Sequence, residues 1–247
     1  MFKYILVFLF ALYQNISSAQ QPAGIHTAWD SLLQKHVTPQ GIVDYKGFIQ
    51  DSVLLNNYLN TLSANPPDET SWGKNEQMAF WINAYNAFTV QLIIRNYPLK
   101  SIKDIGGSVY RVNTTWDIKF IIIGNETLDL NNIEHQKLRK QFDEARIHFA
   151  VVCASKSCPI LMNTAYTGEN LEAQLNTAGK VFLADNYRNQ VDAQNPKLSM
   201  LFKWYKMDFT KDTSIINYIN QFSNVQISED ASIEYLEYDW GLNEAQE

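Results

Sequence analysis

Both cysteines of the chain fall within Cys153-Ala154-Ser155-Lys156-Ser157-Cys158-Pro159, and His148 stands five residues before the first of them. A thiol attacks only as its thiolate, so it needs a neighbouring base or cation, and the base needs a group that orients it. Lys156 would favour a nearby thiolate. Three chemistries fit these residue types. The first is a thiol-dependent hydrolase or acyl-transfer enzyme acting on a peptide, amide or envelope polymer. Cys158 is then the nucleophile with Cys153 its substitute, and His148 the base with His135 its substitute; Glu134 or Asn83 is the orienter. The second is a disulfide between Cys153 and Cys158 that pins a recognition loop in a non-enzymatic exported binding module. Chain entropy gives so short a loop only about 2 kcal/mol, and Pro159 restricts Cys158 to extended backbone. The third is a metal site drawn from Cys153, Cys158, His148, His135 and Glu134, whose spacing matches no compact zinc signature.

Other devices are missing from the sequence. It has no glycine-rich phosphate loop, no Gly-x-Ser-x-Gly elbow and no His-Glu-x-x-His, and nothing in it calls for a cofactor. Of the four histidines, His26 and His36 sit in one helical stretch with no polar company along the chain. That pattern places them at the surface or the edge of the core.

Several elements must position these groups. Residues 147–152 (Ile-His-Phe-Ala-Val-Val) form a short apolar run of strand length. In a strand His148 shares a face with Ala150 and Val152, and the strand empties into the cysteine loop. From Lys74 to Arg95 no breaker interrupts a run that is apolar on nearly every face, the signature of a buried helix. Asn83 and Asn86 share one side of it at i, i+3 spacing. A buried amide without partners costs about 1–3 kcal/mol, so each must bind loop backbone or orient a catalytic group. Asp129 or Asn131 caps a helix through Phe142 that carries Glu134 and His135. Adjacent residues on an α-helix point about 100° apart, so only one of these two easily faces the loop.

Further helices are expected over residues 25–36, 52–62, 168–186, 199–207 and 214–222. Trp116 to Ile123 reads as a strand entering a hairpin at Gly124-Asn125. The tail from Ile233 to Leu242 carries Tyr235, Tyr238 and Trp240 and is expected to pack onto the domain. The mixture predicts a helix-dominated α+β fold: a single domain around a small, mostly antiparallel sheet, with a buried central helix.

Residues 1–19 read as a cleavable export signal: Lys3, an apolar run from Tyr4 to Tyr13, and Ser17-Ser18-Ala19 as cleavage site. The mature globular domain is then 20–247, in the periplasm or outside the cell. The apolar run is shorter than the ~20 residues a membrane span needs, and no second run approaches that length. The net charge of −6 and pI near 5.3 argue against nucleic acid and anionic membrane as partners. A small-molecule, peptide or polymer ligand remains as the expected partner.

Phe80-Trp81-Ile82-Asn83-Ala84-Tyr85-Asn86-Ala87, Asn132-Ile133-Glu134-His135 with Leu138-Arg139, and Arg146-Ile147-His148-Phe149-Ala150 running into the cysteine loop form one ordered set. Tyr238-Asp239-Trp240-Gly241-Leu242-Asn243 closes it. With these motifs the chain resembles the family of domain of unknown function 547, over about residues 70–186. The resemblance implies that the Asn-Ala-Tyr-Asn helix, the Glu-His helix and the His…Cys…Cys segment occur together. It implies no activity.

Overall fold

The computed structural model describes residues 21–22, 24–106 and 114–245. The export signal expected at 1–19 lies outside the described residues. Helix α1 (Thr27–His36) leads into α2 (Tyr45–Gln50) and α3 (Ser52–Ala64). Helices α2 and α3, backed by α1, pack against α4 (Lys74–Arg95), in which every residue from Gln77 to Ile93 is buried. The sequence specifies that burial, because a helix apolar on all faces has no side to offer water. The α4 start is closed by Gly73 N–H donating to Glu76 Oε2 at 2.8 Å, two residues beyond the Ser71 that sequence offers as a cap. Trp29 of α1 stacks on Tyr58 of α3, with ring centroids 5.8 Å apart and planes 4° from parallel.

Strands β1 (Ile121–Ile123) and β2 (Glu126–Leu128) form an antiparallel hairpin, with Ile121 opposite Leu128. Gly124 takes the turn at φ +58°, a conformation that glycine adopts without penalty. The strand predicted from Trp116 is thus shorter, and Thr115–Asp117 is a 3-10 turn closed by Thr114 N–H donating to Asp117. Next come a π-helical segment (Asn132–Leu138) and a short α5 (Arg139–Gln141). Asp129 caps the segment, its Oδ1 accepting from Asn132 N–H at 2.6 Å.

The predicted core strand at 147–152 is not a strand. Ala145–Phe149 is a 3-10 helix, started by Glu144, whose carboxylate accepts from Arg146 N–H at 3.0 Å. A strand needs a neighbouring ladder for its amides; here Asn86 of α4 supplies side-chain bonds in its place. Apolar composition was right about burial and wrong about conformation.

Beyond the cysteine loop, α6 (Leu171–Ala184) packs against that 3-10 helix through Gly179. A methyl group at Gly179 would stand 2.9 Å from the Phe222 ring and 3.2 Å from that of Phe149. Strand β3 (Lys197–Leu198), α7 (Leu201–Trp204), α8 (Lys206–Phe209), α9 (Ile215–Asn220) and β4 (Glu234–Tyr235) complete the described order. The helix predicted over 199–207 is split at Tyr205. Strands β3 and β4 pair in parallel, apart from the hairpin. The fold is therefore helix-dominated α+β, but its strands make two separate pairs instead of one mostly antiparallel sheet. Phe149, Phe182, Phe202, Phe209 and Phe222 interlock in a second hydrophobic cluster beside the one around α4. Each fully buried ring stabilises by about 1.5–3 kcal/mol. Among the described residues, no helix is long and apolar enough to cross a membrane.

Candidate functional site

Asn86 fixes the approach to the first cysteine with both ends of its amide. Its Nδ2 donates to Ala150 O at 2.9 Å, and its Oδ1 accepts from Val152 N–H at 2.9 Å. Ala154 then turns the chain at φ +59°, the left-handed region that costs a side-chain-bearing residue about 1–2 kcal/mol. The C-terminal segment holds that turn in place. Asn243 N–H donates to Ala154 O at 3.2 Å, Lys156 N–H to Gly241 O at 2.8 Å, and Asp239 N–H to Ser157 Oγ at 2.9 Å. The tail predicted to pack down thus forms one wall of the loop.

The turn brings the two sulfurs within 2.7 Å of each other, as free thiols. Cys158 is buried and Cys153 half-buried. Cys153 Sγ also lies 3.3 Å from Ser155 Oγ and 3.3 Å from the Tyr238 hydroxyl. Its pKa comes down to about 7, chiefly because the Cys158 thiol donates to it, with Ser155 and Tyr238 adding to the effect against the cost of burial. Burial pushes the Cys158 thiol up, and the neighbouring Cys153 pushes it further. The two cysteines are therefore unequal. Lys156 is not what lowers the thiol: its charge acts on Asp239 instead.

Cys153 and Cys158 line a cavity of about 200 Å³ together with Glu134, His135 and His148. Tyr85, Trp116, Trp204, Tyr205, Tyr238 and Trp240 form its aromatic walls. Glu134 is buried, and its Oε1 has no hydrogen-bond partner among the described residues. Burial first, and the nearby Glu134 carboxyl second, raise the Tyr205 phenol above its usual range. Glu134 and His135 both reach the cavity, although α-helical spacing predicted one of them. The i→i+5 turn of the π-helix holds more residues than an α turn, so successive side chains diverge less.

His148 lies under Tyr205, ring centroids 3.8 Å apart, with its Nε2 2.7 Å from Asp208 Oδ2. Burial lowers its pKa and outweighs the opposing pull of Asp208. The neutral ring donates from Nε2 to Asp208, which leaves Nδ1 as a lone-pair nitrogen; Nδ1 is buried without a partner among the described residues. His148 and Arg139 hold Asp208 far below the ordinary carboxylate range. Arg139 grips Asp208 with Nε at 2.7 Å and Nη2 at 2.9 Å. Its Nη1 stands 3.0 Å from His135 Nδ1, and arginine only donates, so that nitrogen accepts and His135 carries its proton on Nε2.

Cys153, Cys158, His148, His135 and Glu134 thus share one cavity. Asn83 does not join them. Its amide closes on the backbone of Tyr166, donating to the carbonyl at 2.7 Å and accepting from the N–H at 3.0 Å. Both α4 asparagines hold loop backbone. No histidine nitrogen is among the hydrogen-bond partners of Cys153. His26 and His36 do have polar company, supplied from other elements: Tyr58 OH at 2.8 Å and Asp51 Oδ2 at 2.6 Å. Among the described residues, no group of three or more His, Cys, Asp and Glu side chains converges as a metal ion requires.

Sequence reasoning missed Asp208, Tyr205 and the contact of Tyr238 with the thiol. The Tyr238 motif stood out as a phrase but carried no chemistry of its own. Asp208 lies 60 positions from His148 with no local pattern to mark it.

Residues 69–183 match the model of a family described as "Protein of unknown function, DUF547". No curated protein and no solved structure matches the chain. Asp208, Tyr205, Tyr238 and Trp240 lie beyond the matched segment, so the cavity joins residues from inside and outside it.

Proposed function

We propose, for a chain whose residues 69–183 belong to the DUF547 family, that it is an exported thiol-dependent hydrolase or acyl-transfer enzyme acting on a peptide, amide or envelope polymer. One observation carries this reading: a half-buried thiol lowered to about 7 lines a cavity together with Glu134 and His148, whose Oε1 and Nδ1 are buried without a hydrogen-bond partner among the described residues. The nucleophile is Cys153. Cys158, favoured from sequence, is buried and has a raised pKa, which suits it to donating a hydrogen bond. The Cys153 sulfur attacks the acyl carbon and its proton passes by way of His148 Nδ1 to the leaving amine. Water or a second amine then gives a proton to Nδ1 and releases the acyl group, returning that proton to Cys153. Asp208 keeps the His148 ring in the tautomer that leaves Nδ1 open, and Glu134 offers Oε1 to a donor on the substrate. His135 is tied to Arg139 and takes no direct part.

The test is alkylation of the reduced, desalted mature protein with iodoacetamide at pH 6, followed by peptide mapping. Cys153 is expected to react faster than a model thiol, and Cys153→Ser to abolish that fast phase. A Cys153 that reacts no faster than the model thiol sinks the reading. It would leave the non-enzymatic binding module, in which the cysteines only pin the loop.

A further inference from the structure

The acyl-transfer reading makes no use of Cys158 as a reactive group, yet its placement gives it one. The two sulfurs are 2.7 Å apart and Cys153 N–H also points to Cys158 Sγ, at 2.9 Å. The left-handed turn at Ala154, held by its bonds to the tail, helps bring residues five apart into this contact. A thiol held this close acts at a very high effective concentration. Access is unequal: Cys153 is half-buried on the cavity wall, whereas Cys158 is 4% exposed.

We propose that Cys153 and Cys158 form a two-electron dithiol centre, in which Cys153 attacks a small uncharged disulfide entering the cavity and Cys158 resolves the product. In the first step the Cys153 thiolate bonds to one sulfur of R–S–S–R. The S–S bond breaks, and R–S⁻ departs and takes a proton from solvent. In the second step Cys158 loses its proton to solvent, and its sulfur bonds to Cys153 Sγ while the second R–S⁻ leaves and is protonated. The disulfide substrate is reduced to two thiols and the protein pair is oxidised to one disulfide. An excess of external dithiol runs the sequence backwards and resets the pair. The centre rests on the accessible Cys153 thiol of the preceding section but not on acyl transfer. Its oxidised form has no nucleophile, so acyl transfer would stop until the pair is reduced.

The experiment treats the reduced, desalted mature protein with 2-hydroxyethyl disulfide at neutral pH and follows intact mass and released mercaptoethanol. Wild type is expected to release two mercaptoethanol molecules per chain, lose two hydrogens in mass and regain them with dithiothreitol. Cys158→Ser should stop at a stable mixed disulfide on Cys153, and Cys153→Ser should not react. A wild-type protein that stops at the mixed disulfide, or an adduct that maps to Cys158, overturns the proposal without needing any variant to fold. Fast alkylation at pH 6 combined with such a stop leaves the reactive-thiol reading standing and removes the dithiol centre. Complete oxidation combined with slow alkylation does the reverse. A protein inert to both reagents overturns both.

Discussion

Cys158 sets the acidity of Cys153 from 2.7 Å away, through a hydrogen bond that favours the thiolate. In Cys158→Ala that donor is gone. The pH midpoint of Cys153 alkylation should then rise from about 7 toward the ordinary thiol value of about 8.5. Tyr238→Phe removes a weaker contribution and should move the midpoint less, in the same direction. A midpoint unchanged in Cys158→Ala would mean that the thiol pair is not what tunes the site. Asp208→Asn tests the histidine. It removes the charge that opposes burial at His148, so the imidazole midpoint, followed by NMR, should fall further. The variant also deprives Arg139 of its paired carboxylate and should cost about 1–3 kcal/mol in urea unfolding.

At the level of elements, α4 does two jobs with two amides. Asn86→Ala and Asn83→Ala each remove a pair of buried backbone bonds and should each cost about 2–4 kcal/mol in urea unfolding. Their effects on the thiol should differ. Asn86 holds the backbone immediately before Cys153, so its loss should slow alkylation of that residue. Asn83 holds the loop at Tyr166 and should leave the alkylation rate unchanged. Equal slowing in both variants would show that the loop responds to overall stability and not to the Asn86 clamp. The helix itself was legible in sequence because its burial is all-round, whereas the segment at 147–152 was misread because apolar composition reports burial and not backbone conformation.

For the whole molecule the buried histidines impose a direction on acid stability. Burial lowers the His26 pKa from 6.5 to about 4. Between these values the unfolded chain binds a proton that the folded chain refuses, so stability is intact above pH 6.5 and declines as pH falls toward about 4. The shift amounts to about 3 kcal/mol. His148, also lowered by burial, acts in the same direction. His26→Gln retains a hydrogen-bonding group near Tyr58 but does not titrate. The loss of stability between pH 7 and pH 4.5, measured by urea unfolding, should therefore be smaller in His26→Gln than in wild type. An equal loss would place the acid sensitivity elsewhere.

The sequence by itself determined the buried α4, the hairpin at Gly124, the predominance of helix, and the likeness to DUF547. Each depends on local pattern, and local pattern survives in one dimension. It also singled out Cys153, Cys158, His148, His135 and Glu134, because their residue types are reactive wherever they sit. Only the tertiary structure decided which thiol is the acidic one. That choice depends on a turn at Ala154, on a tail folded back from about 80 positions away that brings Tyr238 to the sulfur, and on unequal burial. The Asp208–His148 pair likewise joins residues 60 positions apart. A proton's preference is set by the groups within a few ångströms of it, and those neighbours exist only once the chain has folded.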